Sequence, residues 1–184
     1  MASKKTARRY LIREAVEDDL SRLVEFLASL ALHVSGAPPQ NLQEREWDRL
    51  HGVLLSSLTD ANKHIMVAEV PETGLVGMGY IYILRNQGIW EQTSHVEYRS
   101  AFIDDVWVEP DFRKLGIFPD LLRSLVAFAE SRGAYELVLE YSASNKEAKA
   151  AWTRLGFKTI GVRAAAFTTA VQEALNNRPW KPVP

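Results

Sequence analysis

Two stretches of this chain combine residue types that do chemistry. In DDVWVEPDFRKLGIF, residues 104–118, an apolar run headed by Asp104 and Asp105 passes through a short turn holding Arg113, Lys114 and Gly116 into a new apolar period. A strand running through such a turn into a helix N-terminus is an anion-binding geometry. The free amides and the dipole of the helix favour a phosphate, Gly116 lets the backbone approach closely, and Arg113 or Lys114 neutralises charge. Asp104 and Asp105 add a second signal. Neighbouring strand residues point to opposite faces, so at least one of these carboxylates is expected to look into a covered side of a sheet. Either it is paired with Arg99, Arg113 or backbone amides, or it has work to do.

The second stretch is NKEAKAAWTRLGF, residues 145–157, a helix that starts at Asn145 and ends in Gly-Phe. Together, in this order and about forty residues apart, the two stretches resemble the acyl-CoA motifs of the GNAT (GCN5-related N-acetyltransferase) superfamily. The resemblance covers residues 65–163 well and extends back to Tyr10. It implies that Val106, Trp107 and Val108 offer backbone groups to a pantetheine arm. The turn of Arg113, Lys114, Leu115, Gly116, Ile117 and Phe118 would then hold a pyrophosphate, with Asn145 reaching the cofactor and Trp152 lying beside it. It further implies acetyl-CoA as cosubstrate, transfer of acetyl to a primary amine of a small molecule, and a homodimer as a frequent assembly. A module that binds acyl-CoA without turnover is the alternative.

Three departures from the family pattern bear on that alternative. Phe118 stands where a second Gly or Ala is usual, Pro119 has no N–H to offer a phosphate, and Trp152 replaces a Tyr proposed elsewhere as general acid. A thiol leaving group with a pKa of roughly 8.5 needs little protonation. The nucleophile is the harder problem, because an amine of pKa about 10.4 is neutral in less than about one molecule in a thousand at pH 7, a cost of roughly 4–5 kcal/mol. A base is therefore worth more than an acid. Asp104 matches the acidic position of polyamine-type relatives and is the candidate base, with Glu69, His95 and Glu97 in reserve; Tyr141 is the candidate acid.

The elements that must position these groups follow from periodicity. Residues 10–13 read as a strand, followed by a helix with an acidic start at Glu17, Asp18 and Asp19, with Leu20, Leu23, Val24, Leu27 and Leu30 on one face and a break at Gly36, and 42–58 read as a second helix. Residues 65–70 and 75–84 form a hairpin about a PETG turn, and 101–108 a further strand. Residues 117–132 make an amphipathic helix burying Phe118, Leu121, Leu122, Leu125 and Ala129, with Gly133 as its cap. Residues 137–141 are a strand. The next helix begins at Ser144 or Asn145, where Ser144 and Glu147 form a capping box, residues 157–163 look like a closing strand, and 164–175 fit either a strand or a helix. The order gives an α/β fold of the α+β type: a mixed, mostly antiparallel sheet with a splayed parallel pair, flanked by helices. Residues 1–9 read as a tail and 10–184 as a single domain. The acceptor is expected between residues 17–58 and 87–99.

Composition narrows the function classes. Of 184 residues 47% are apolar, and no stretch approaches the roughly 18 apolar residues of a membrane span. Lys and Arg number 22 against 23 acidic residues, so no overall field draws nucleic acid or an anionic membrane. The basic start with Lys4, Lys5, Arg8 and Arg9 is not followed by the apolar run of a secretory signal. The absence of cysteine excludes disulfides and thiolate chemistry and fits the cytoplasm. The four histidines, His33, His51, His64 and His95, show no metal-site spacing, and no metal is expected.

Overall fold

The computed structural model describes residues 10–36, 41–85, 99–161 and 165–177, which divide into two compact units, 1–142 and 143–184. In the first unit five strands lie side by side in chain order: β1 (Leu11–Glu14), β2 (Lys63–Val70), β3 (Gly74–Arg85), β4 (Arg99–Val108) and β5 (Glu136–Leu139). Neighbours run antiparallel except β4 and β5, which are parallel. The mixed, mostly antiparallel sheet expected from the sequence is therefore present.

One face of the sheet is covered by α1 (Leu20–Ser35) and α2 (Glu44–Leu58). Leu20, Leu23, Val24 and Phe26, at the spacing of one helical face, pack with Leu54, Ile65, Val67, Met78, Tyr80 and Trp107 into a buried cluster. Each buried Leu or Phe contributes about 1.5–3 kcal/mol of hydrophobic stabilisation. An ion triad anchors the entry to α1. Arg13 on β1 holds both carboxylate oxygens of buried Asp19, at 2.7 and 2.9 Å, and donates Nε–H to Glu69 at 2.7 Å.

The opposite face is covered by α3 (Ile117–Ser131), whose Ile117, Leu121, Leu122, Leu125 and Ala129 are buried. Ile117 is 1% exposed and takes the place expected for Phe118, which is only half-buried. The helix comes so close to β3 that a Cβ on Gly79 would sit 3.0 Å from Leu125 Cδ1. Gly133 caps the helix with φ +71°, as its position in the sequence suggested.

In the second unit α4 (Lys146–Arg154) is capped by Asn145, whose side chain accepts from the Ala148 N–H at 3.0 Å. Of the two starts that the sequence allows, Ser144 and Asn145, the cap is Asn145. Trp152 packs edge-on to Phe157, ring centres 5.4 Å apart. The expected closing strand is not formed over residues 157–161, which carry no strand hydrogen bonds; residues 162–164 lie outside the described part. The ambiguous segment resolves as a helix, α5 (Thr168–Asn177), since its apolar residues Phe167, Val171 and Leu175 fall at helical spacing.

Candidate active site

The ladder between β3 and β4 is interrupted at one place. Tyr80 pairs with Asp105 and the next residue, Ile81, pairs with Ile103, so Asp104 is left over as the extra residue of a bulge. Directly opposed residues share a face, which puts Asp105 with Tyr80 on the α1/α2 side and Ile103 with Ile81 on the α3 side. In a regular strand Ile103 and Asp105 would share a face. The bulge breaks the alternation, and the expectation that the two carboxylates diverge is corrected: both act on the phenols of Tyr80 and Tyr82.

Electrostatics separates the two aspartates. Asp105 is half-buried, and loss of hydration, reinforced by the charge of Asp104, pushes its carboxyl up to about 7. Asp104 is exposed as a residue and its carboxyl is raised less, first by lost hydration and then by Glu140, which follows β5. Among the described residues no side chain bonds or ion-pairs with either of them. Arg99 donates to the Arg132 carbonyl at 3.1 Å and Arg113 to the Val108 carbonyl at 3.1 Å, so the pairing reading is not what forms.

Around this pair lie aromatic walls. Tyr80 is 5% exposed, shares a 3.1 Å hydrogen bond with Ser57 of α2, and has its phenol pKa raised by burial. Tyr82 stacks on Phe102 with ring centres 5.2 Å apart. Two residues on from Asp105, Trp107 is buried against His33 in an edge contact of 5.7 Å, and its indole Nε1 is buried without a hydrogen-bond partner.

The slot expected between the parallel strands has a definite origin. Pairing of β4 with β5 runs only from Ser100 with Glu136 to Ile103 with Leu139. Beyond it β4 continues through Asp104 to Val108 while β5 has ended, so this length of β4 has an open edge among the described residues. Val106, Trp107 and Val108 lie on that edge. Tyr141 is two residues past the end of β5 rather than within it, and half-buried.

After a 3-10 turn at Pro110–Phe112 the chain enters α3 through Lys114 at φ +64° and Gly116 at φ +93°. The first intrahelical bond runs from the Asp120 N–H to the Gly116 carbonyl at 3.2 Å, and the N-cap, a glycine, brings no side chain of its own. The start of an α-helix leaves its leading amides without intrahelical partners, as an anion site requires. Arg113 braces the turn: besides its bond to Val108 its guanidinium lies 5.1 Å from the Trp107 ring centre. Lys114 and Leu115 are exposed. A Cβ at Gly116 would meet the Tyr10 hydroxyl at 3.0 Å, so the space above this glycine is taken up by Tyr10. These groups fit an acyl-CoA, with Pro119 one donor short. Asn145 and Trp152 belong to the second unit, where Asn145 serves α4 as its cap.

Sequence reasoning did not single out Tyr10, Ser57, Tyr80, Tyr82, Asp120 or Glu140 in this region. Only their spatial neighbours reveal them. Glu97 and His95 lie outside the described residues, and Glu69 is bound to Arg13. Among the described residues no group of three potential metal ligands occurs, and no helix is long and apolar enough to cross a membrane.

The five-stranded sheet parts beside its parallel pair, and a glycine turn into α3 follows the open length of β4. A model of the acetyltransferase (GNAT) family matches residues 10–157, and the chain belongs to that family. It is 37% identical over 70 residues to the [ribosomal protein bS18]-alanine N-acetyltransferase of Salmonella typhimurium, covering 38% of this chain and 47% of that protein. It is 26% identical over 150 residues to an uncharacterized N-acetyltransferase of Methanocaldococcus jannaschii, covering 81% and 61%. The chain thus spans about half to three-fifths of these relatives. The fold is shared with a predicted acetyltransferase from Clostridium acetobutylicum crystallised with acetyl-CoA, at a TM-score of 0.69 and 20% identity, over 88% of this chain and 97% of that one.

Proposed function

We propose that the protein transfers an acetyl group from acetyl-CoA to a primary amine of a small molecule. The observation that carries the reading is the bulge at Asp104, which sets two carboxyls without partners among the described residues at the point where β4 and β5 part. Acetyl-CoA, when bound, supplies an activated acyl carbon and a thiolate leaving group. The backbone of Val106, Trp107 and Val108 and the turn from Arg113 to Phe118 would hold it.

The chain's own task is the amine. An incoming ammonium is attracted by Asp104, Asp105 and Glu140 and gives a proton to Asp104, directly or through a water. The neutral nitrogen then attacks the acyl carbon as the C–S bond breaks, and Tyr141 is the candidate donor of a proton to sulfur. Holding amine and acyl carbon together supplies roughly 7–11 kcal/mol of the barrier reduction. Asp105, with a carboxyl near 7, is the group best matched to accept the proton onward at neutral pH.

Pro119 and Trp152 favour a second reading, a module that binds acyl-CoA without turning it over. Calorimetric titration with acetyl-CoA, using CoA and ADP as controls, followed by assay of CoA release with polyamines, aminoglycosides and amino acids, separates the two. Binding with release supports the enzyme, binding without release supports the module, and no binding overturns both.

A further inference from the structure

The first turn of α3, next to the turn proposed to hold the pyrophosphate, contains a carboxylate. Asp120 stands in the first turn of α3, 7% exposed, one helical turn from Gly116. Side chains on a helix lean toward its N-terminus, and an acidic residue in the first turn ordinarily reaches back to the leading amides. Among the described residues its carboxylate makes no hydrogen bond to these amides and is bonded by Tyr10 and Arg123. Tyr10, immediately ahead of β1, donates its hydroxyl proton to Oδ2 at 2.9 Å, and Arg123 pairs with Oδ1. The same Tyr10 oxygen is the atom that a Cβ on Gly116 would meet at 3.0 Å. One hydroxyl therefore touches both the glycine of the cradle and the carboxylate beneath it.

We propose that Tyr10 is a positioning residue for acyl-CoA binding: with Arg123 it restrains Asp120 so that the amides at the start of α3 stay available to the pyrophosphate. The proposal rests on the acetyl-CoA reading of the preceding section. The single phenolic proton is committed to Asp120, so Tyr10 does not act as a donor to the ligand. Its effect is indirect. With Tyr10 in place, one anion, the ligand, competes for the helix N-terminus. Without it, Asp120 becomes a second anion that caps those amides from within and repels the phosphates. The arrangement joins residues 110 positions apart in sequence.

The test is a mutant cycle read by calorimetry in the full-length protein, with acetyl-CoA and with acetyl-pantetheine, which lacks the phosphates. Tyr10→Phe should raise the acetyl-CoA Kd by about tenfold, the change that roughly 1.4 kcal/mol of lost anion stabilisation produces. Adding Asp120→Asn to Tyr10→Phe should return the Kd to near the parent value. Acetyl-pantetheine affinity should not change in either variant. Arg123→Gln, at a largely exposed side chain, should raise the acetyl-CoA Kd in the same direction and serves if Tyr10→Phe does not fold. An unchanged Kd in Tyr10→Phe and Arg123→Gln overturns the proposal, as does failure of Asp120→Asn to rescue. If the parent protein binds acetyl-pantetheine but gains nothing from the phosphates, the cradle itself is wrong. If it binds neither compound, the acetyl-CoA reading fails and the proposal with it.

Discussion

Asp105 of β4 stands directly across from Tyr80 of β3, and the Tyr80 hydroxyl is bonded at 3.1 Å to Ser57 of α2. A titratable carboxyl is thereby set against a buried phenol that is itself fixed to a helix. Burial and the neighbouring Asp104 hold the Asp105 carboxyl near 7, well above its usual range. Burial therefore favours its uncharged form.

That strain has a sign. A carboxyl whose pKa is raised on folding contributes stability below its unfolded value, about 3.9, and loses that contribution as pH rises through the folded value near 7. Asp105→Asn should therefore leave stability at pH 4 nearly unchanged and raise it at pH 8 by about 2 kcal/mol or more. Urea unfolding at the two pH values measures this. Equal stability changes at both would show that Asp105 is not strained.

Asp104→Asn addresses catalysis rather than stability. With the open edge of β4 intact, acetyl-CoA affinity should be preserved while kcat falls by about 10² or more. Calorimetry and CoA-release kinetics on one preparation give both quantities. Loss of binding in step with kcat would reassign Asp104 to holding the cosubstrate.

At Gly116 two costs coincide. Its φ of +93° is unfavourable for any side chain, and a Cβ there would press on the Tyr10 hydroxyl. Gly116→Ala should cost about 1–3 kcal/mol of stability and weaken acetyl-CoA binding. A larger side chain such as Trp should do both more severely, so the substitution is not neutral for folding. Thermal unfolding together with titration checks both parts.

The triad at the start of α1 sets the response to acid. Burial alone would raise the Asp19 carboxyl, but its bonds to Arg13 and to the Val16 amide outweigh this and leave it below the usual range. Its contribution is therefore present above the unfolded value and is lost as pH falls through the folded one. Arg13→Ala should cost about 2–4 kcal/mol at pH 7, and the cost should shrink toward pH 2. A cost independent of pH would mean that Arg13 acts by packing alone.

Much of this arrangement was legible in the sequence because it is local. The apolar spacing of Leu20, Leu23 and Val24, the hairpin at Pro71 to Gly74, and the passage from Val108 through Gly116 into α3 are written within a few residues of each other. The bulge was not legible. Two adjacent aspartates in a strand read as alternating, and only the register against Tyr80 and Ile81 shows that Asp104 is an extra residue. The Tyr10 contact was also invisible, since no local pattern connects a residue ahead of the first strand with the first turn of α3. Residues 157–161 suggest a strand by composition, but Ile160 is 84% exposed and no ladder forms there.

The open length of β4, residues 104–108, is also a row of backbone donors and acceptors that any extended peptide could join, a route by which sheet proteins stick to one another. Its start carries two carboxylates, and Pro110 and Asp111 follow its end, features that discourage strand addition. Half of that protection titrates near neutrality, because Asp105 is uncharged below about 7. In mild acid the repulsion between chains at this edge weakens, and self-association through β4 becomes the characteristic hazard of the unliganded protein.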